Sequence, residues 1–186
     1  MEYVFQNDLR IYFLMNFVKG GELFTLIVDQ KRFPEERAKF YAAQVALALG
    51  HLHSQNILYR DLKPENILID EDGYLRLADF GLSRMINWDE VAKSFCGTAE
   101  YLSPEMVEGT GHNTGIDWWA LGVLLYEMLV GIPPFYHKNR DHMFMLIKKA
   151  AVRYPDLHWH GFGVSDVAQD LINKLLEKDM ESRLGR

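Results

Sequence analysis

The chain has 186 residues, 48% hydrophobic and 25% charged, which is enough apolar material for one domain with a sizeable core and too much for a disordered segment. Its formal net charge of −6 argues against nucleic acid or an anionic membrane as the main partner and suits a basic peptide. A single cysteine, Cys96, excludes an internal disulfide framework and fits a reducing, intracellular and cytoplasmic setting.

The opening residues Met1-Glu2-Tyr3-Val4-Phe5 lack the basic and apolar segments of a secretory leader. Leu9 to Val18 (LRIYFLMNFV) is a mostly apolar run that reads as a buried strand, with Lys19-Gly20-Gly21-Glu22 as the turn after it. Pro34-Glu35-Glu36 opens a helix, because acidic residues are favoured at a helix N-terminus. Ala38, Tyr41, Ala42, Val45, Ala46, Leu49 and Leu52 then recur at three- and four-residue spacing, which predicts one buried face. His51 and His53 near its end are two residues apart and point in different directions, which disfavours a shared metal ion.

Tyr59 to Gly81 (YRDLKPENILIDEDGYLRLADFG) carries the densest chemistry. Ile67-Leu68-Ile69 and Tyr74-Leu75-Arg76-Leu77 have strand composition and Asp70-Glu71-Asp72-Gly73 has turn composition, so a short hairpin is predicted. Such a hairpin would bring Asp61 and Asn66 at one end toward Asp79 at the other, with Lys63 beside them. Two carboxylates and an amide suit a hard cation such as Mg2+, and a carboxylate next to a lysine suits proton and phosphate chemistry.

Leu82 to Ala99 is polar and irregular, as a regulatory loop would be. Trp118 to Phe135 is the longest apolar run, but Gly122, Glu127, Gly131 and Pro133-Pro134 interrupt it, so it reads as a buried helix ending in a loop and not as a membrane span. Asp117 stands where it could cap that helix. Glu127 is the charged exception within this run and would have to be paired if it lies in the core. Asp166 to Leu176 is a further amphipathic helix, and the chain closes with Glu181-Ser182-Arg183-Leu184-Gly185-Arg186.

Tyr59-Arg60-Asp61-Leu62 with Asn66, followed by Asp79-Phe80-Gly81, resembles the catalytic loop and metal-binding motif of eukaryotic protein kinases. Tyr59 in place of histidine, Lys63 after Asp-Leu, the run Ser94 to Glu105 and the terminal Arg-Leu-Gly are similar to the AGC group of serine/threonine kinases. The resemblance covers essentially all 186 residues. It implies an α+β, protein-kinase-like fold: a mainly helical large lobe over residues 22–186 with a short catalytic hairpin, and the last small-lobe strand and hinge over 1–21. No G-x-G-x-x-G occurs, so a fragment almost without its small lobe is expected, with an inert docking module as the alternative to an active transferase.

The resemblance also distributes roles, with ATP and Mg2+ as cofactors. Asp61 and Lys63 would be catalytic, and Asn66 and Asp79 would hold the metal. Met15, Asn16, Val18, Glu22 and Leu68 would line the nucleotide site, with Leu68 as the floor under adenine. Ser94 would be phosphorylated by an upstream activating kinase, and Arg60 and Arg84 would bind that phosphate. Glu65, Glu100, Glu127, Phe95 and Leu102 would contact a protein substrate with basic residues near its target. Thr98, Glu105, Asp117 and Arg183 would be structural, the second and fourth as a buried ion pair. Ala99 stands where the family usually has proline, and Ser103 where it has alanine; a neighbouring backbone group is expected to satisfy the Ser103 hydroxyl.

Overall fold

The computed structural model describes residues 2–86, 96–156 and 161–185; Ser94 and Phe95 lie outside them. Strands β1 (Tyr3–Gln6) and β2 (Ile11–Leu14) form an antiparallel hairpin, followed by helices α1 (Leu23–Gln30) and α2 (Glu35–Ser54). Then come β3 (Ile57–Leu58), β4 (Ile67–Ile69), β5 (Leu75–Leu77) and β6 (Arg84–Met85), with β3 paired to β6 and β4 to β5. Helices α3 (Pro104–Glu108), α4 (Gly115–Val130), α5 (Arg140–Lys149) and α6 (Asp166–Leu175) complete the described elements. None of the described helices is long and apolar enough to cross a membrane.

Helix α4 is the axis of the core. Every residue from Gly115 to Leu129 except Trp118 is buried, which is why its sequence is apolar all round and not amphipathic. Helix α2 turns Ala38, Tyr41, Ala42, Val45 and Leu49 toward this core, as its spacing predicts, while Ala46 and Leu52 are partly buried at its edge. Helix α6 comes closest at Gly122, where an added Cβ would sit 2.9 Å from Leu175 Cβ and from a Leu176 methyl. That approach allows only glycine without repacking.

The buried strand read over Leu9 to Val18 is corrected in two ways. Only Ile11–Leu14 is strand, and it is one arm of a hairpin with Tyr3–Gln6. Its residues are exposed, from 37% at Tyr12 to 60% at Ile11. An apolar run reports that a strand can be buried; whether it is depends on a covering layer, and β1 and β2 mainly cover one another, with Phe5 stacked on Tyr12.

The region expected to be irregular after Gly81 also contributes Arg84–Met85 to a strand pair with Ile57–Leu58. Helix α4 starts at Gly115, two residues before Asp117, so Asp117 lies within the first turn and does not cap it. The Ser103 hydroxyl is fully buried and has no hydrogen-bond partner, against the expectation of a backbone acceptor. An unsatisfied buried hydroxyl costs more than it returns, so Ser103→Ala should stabilise the fold by about 1 kcal/mol, read as a raised urea midpoint at constant slope. A lowered midpoint would show that the hydroxyl has a partner after all.

Lys178 ties the end of the chain to the core. Its ammonium lies 3.8 Å from the Phe135 ring centroid and 4.8 Å from that of Trp119, and donates to Ile147 O at 2.7 Å in the last turn of α5. Burial first, and the Arg183 charge second, lower its pKa from 10.5 to about 8. A base whose folded pKa lies below its unfolded value leaves the unfolded chain holding more protons between those two pH values, so stability rises with pH through that window. Relative to Lys178→Met, the wild type should therefore gain stability between about pH 8 and 10.5; equal pH slopes in chemical denaturation would refute this.

Candidate active site

The chain between β3 and β4 is shaped from both sides. The turn that follows β2 docks on the hairpin through Gly20 N to Ile69 O and Ile69 N to Gly21 O, both 2.9 Å, and Glu22 bridges to Leu68. Gly20 is required there, because a Cβ would meet Ile69 O at 2.4 Å. This brings Glu22 beside the half-buried Leu68 side chain, with Val18 half-buried nearby and Met15 and Asn16 exposed. The Asn16 amide donates to Glu2 Oε1 at 3.0 Å.

Three side chains converge on Asp61, which is 8% exposed. Lys63 Nζ lies 3.0 Å from Asp61 Oδ2, and Asn66 Nδ2 donates to the same oxygen and to Asp61 O, each at 2.8 Å. Thr98 Oγ1 donates to Asp61 Oδ1 at 3.2 Å and accepts from Lys63 Nζ at 2.9 Å. At the hairpin's other end Ala78 N donates to Asn66 O at 2.8 Å, which sets Asp79 one residue past the closure. Asp79 is exposed, takes φ 51°, and accepts from Gly81 N at 3.0 Å. Its carboxylate makes no described side-chain bond to Asp61 or Asn66. The hydroxyl of Tyr59, bonded to Ala78 O, stands among these groups; burial, then the charges of Asp61, Asp79 and Asp117, push its pKa up.

Underneath, Asp117 accepts from Tyr59 N at 2.9 Å and from Arg60 N at 2.8 Å, fixing the loop backbone on the first turn of α4. Arg60 takes φ 68° and its Nε donates to Leu82 O at 2.6 Å; Arg84, on β6, is exposed. The arrangement thus offers a buried carboxylate in contact with an ammonium, a hydroxyl and an amide.

The protein kinase domain profile matches residues 1–186. The chain belongs to the protein kinase domain family. Its relatives place it with the serine/threonine, AGC-type members: it is 45% identical over 185 residues to Protein kinase 2 of Dictyostelium discoideum, covering 100% of this chain and 37% of that protein. It is 46% identical over 186 residues to Ribosomal protein S6 kinase 2 beta of Xenopus laevis and to Ribosomal protein S6 kinase alpha-3 of Homo sapiens, covering 29% and 24% of those proteins. This chain therefore spans between about a quarter and somewhat over a third of these relatives. The fold is protein-kinase-like and largely helical, as a portion of the kinase large lobe is.

Beside the Asp61 cluster, the kinase domain carries an acidic groove lined by Glu65, Glu100 and Glu127 with Phe24, Tyr101, Pro133 and Tyr136. Both readings of Glu127 hold in part: it is buried and accepts from the Tyr101 hydroxyl, yet it also lines this groove. Burial, then repulsion from Glu65 and Glu100, raise its pKa above the usual carboxylate range, against the lowering effect of Tyr101. Leu102 is buried with Met106 and Ile116. Glu105 and Arg183 form a bidentate pair at 2.6 and 2.9 Å.

Sequence reasoning missed three residues here. Tyr101 is a partner of Glu127, and His53 Nε2 lies 2.8 Å from Asp117 Oδ2. His112 is 2% exposed with an unpartnered Nε2, and burial, then the Arg60 charge, lower its pKa. A signal existed only for Tyr101, an aromatic with a polar tip inside an otherwise recognisable motif.

Proposed function

We propose that the full-length protein transfers the γ-phosphate of ATP to serine or threonine of protein substrates, with residues 1–21 contributing the last small-lobe structure and hinge and 22–186 the large lobe. The observation that carries this reading is Asp61: buried, yet ringed by Lys63, Asn66 and Thr98 within 3.2 Å. Asp61 accepts or orients the proton of the substrate hydroxyl, and Lys63 offsets charge on the phosphoryl group as it moves. Glu22 and Leu68, which pair as an isolated bridge, are assigned with Met15, Asn16 and Val18 to the nucleotide's sugar and base.

Mg2+ fits the donor set. The Asn66 amide nitrogen is spent on Asp61, which leaves its oxygen as the hard ligand, and Asp79 supplies an exposed carboxylate. Mg2+ takes few protein oxygens and completes its shell with water and the substrate's phosphates. When bound, the ion neutralises phosphate charge. Arg60 and Arg84 are the pair assigned to a phosphate on Ser94, put there by an upstream kinase.

The groove formed by Glu65, Glu100 and Glu127 favours substrates with arginine near the target, since carboxylate and guanidinium pair in a directional, charge-assisted way. The test is a peptide array with the full-length protein and labelled ATP. Peptides with arginine on the N-terminal side of the target serine should be phosphorylated at least about tenfold better than their alanine counterparts, a difference near 1.4 kcal/mol. An acidic or proline-directed preference would overturn the substrate reading, and no transfer to any peptide would overturn the enzyme reading.

A further inference from the structure

We propose that His137 and His142 form a two-imidazole site for a transition-metal dication of the Zn2+ class, which clips the loop before α5 to the first turn of that helix. The site shares no residue with the Asp61 cluster, and its test needs no phosphoryl transfer. Its placement follows from how α5 begins. Asn139 is the N-cap: its Oδ1 accepts from His142 N at 2.9 Å and its carbonyl accepts from Met143 N at 3.0 Å. His142 is the third residue of the helix, and helical side chains lean toward the N-terminus, which brings its ring back toward the cap. His137 arrives from the other side, where Asn139 N donates to its Nδ1 at 3.0 Å. The two ring centroids are 4.2 Å apart and the planes are tilted by 37°. Both residues are rooted in the core. Phe135, buried and stacked on Trp119, precedes His137 by two positions, and buried Met143 follows His142.

Both histidines are exposed, so close packing does not account for their contact. A neutral imidazole has one protonated nitrogen and one with a free lone pair, and only the latter binds a metal. His137 Nδ1 has two backbone partners. With the proton on Nε2 it accepts from Asn139 N; with the proton on Nδ1 it donates to Asn139 O, 3.2 Å away. The second tautomer frees Nε2 as a ligand while a backbone carbonyl holds the other nitrogen, which is how metal-binding histidines are commonly oriented. Two imidazole nitrogens on a tetrahedral Zn2+ lie about 3.3 Å apart, given Zn–N distances near 2.0–2.1 Å. Exposed rings already in contact reach that separation by small side-chain rotations, and water completes the shell. Imidazole selects Zn2+, Ni2+ or Cu2+ over Mg2+ and Ca2+, which take oxygen ligands. Of the charged neighbours, Asp141 favours a cation while Lys138 and Arg140 oppose it. Arg140 Cζ lies over the Phe144 ring, one turn further along α5, and Lys138 is exposed, where water and salt screen its charge.

The full-length protein is titrated with ZnCl2 in excess Mg2+, beside His137→Asn and His142→Asn, and heat is measured. The wild type should take up a Zn2+ ion that each variant binds at least about tenfold more weakly, since each lacks one of two ligands. Amide exchange locates the ion independently. With Zn2+ at about a hundred times its dissociation constant, the His142 and Met143 amides of the wild type should exchange at least about tenfold more slowly, because the clipped turn opens less often, and the Trp119 and Val123 amides of α4 should not change. No Zn2+ uptake by the wild type, equal affinity in both variants, or loss in only one of them would overturn the paired site and leave a stacked pair of rings. Unchanged exchange at His142 and Met143 would overturn it as well. Should either variant not fold, the wild-type exchange data decide alone.

Discussion

Asp61→Asn in the full-length protein is expected to lower kcat by about 10² to 10⁴, the range by which a positioned general base accelerates a reaction. The substitution is nearly isosteric, so the loss isolates charge and basicity from shape. In the wild type, Asp61 Oδ2 receives Lys63 and Asn66 and Oδ1 receives Thr98. An asparagine supplies one acceptor where the carboxylate supplied two, and turns an N–H toward groups that are themselves donors. Lys63 is then left half-buried without its counter-charge, so a smaller effect on KM for ATP is also expected.

Two controls give the result its meaning. The thermal midpoint should move by no more than a few degrees, because the Asp61 interactions are local and the core around α4 is untouched. Steady-state kinetics should show the loss in kcat and in kcat/KM for peptide alike, the pattern of an interaction made in the transition state. A kcat within tenfold of wild type would remove Asp61 from the base role and leave its buried cluster as structure alone.

The local half of this architecture was legible in the sequence, and the reasons are physical. Helix α2 shows its buried face because residues three and four apart share one side, and the hairpin of β4 and β5 is announced by strand composition around Asp70-Glu71-Asp72-Gly73. What was not legible depends on contacts between distant residues. His53 and Asp117 are 64 positions apart, and no periodicity links the end of one helix to the first turn of another. The exposed face of β1 and β2 was misread for the same reason, since a covering layer is a tertiary fact. Ser103 was misread in the opposite sense: a hydroxyl can always be imagined to find an acceptor, and only packing around the start of α3 decides that it does not. The acidic groove lay between, with its glutamates visible as letters and their convergence visible only once Tyr101 is seen to fasten Glu127.

Arg183→Met should destabilise the domain by about 3 to 5 kcal/mol, the cost of leaving one member of a buried ion pair behind. Arg183 is 2% exposed and Glu105 6% exposed. Besides the bidentate pair, Arg183 Nη1 donates to Gly115 O at 3.0 Å, Nε to Glu177 O at 2.9 Å and Nη2 to Lys178 O at 3.4 Å, so its loss strands a carboxylate and three carbonyls together. For a domain of this size the thermal midpoint should fall by roughly 6 to 20 °C. Because pairing inside a protein only partly repays desolvation, removing both charges should be far milder than removing one. Arg183→Met combined with Glu105→Leu is thus expected to recover most of the loss, a coupling that a double-mutant cycle measures directly. Gly115 lies two residues before Asp117, so this pair anchors the helix start on which the Asp61 loop is hung. Peptide phosphorylation by the single variant, assayed well below its midpoint, should stay within about threefold of wild type if that anchor serves stability and not chemistry. A cost below about 1 kcal/mol for the single change, or a double variant worse than the sum of its parts, would show that the pair is not the buried clamp described here.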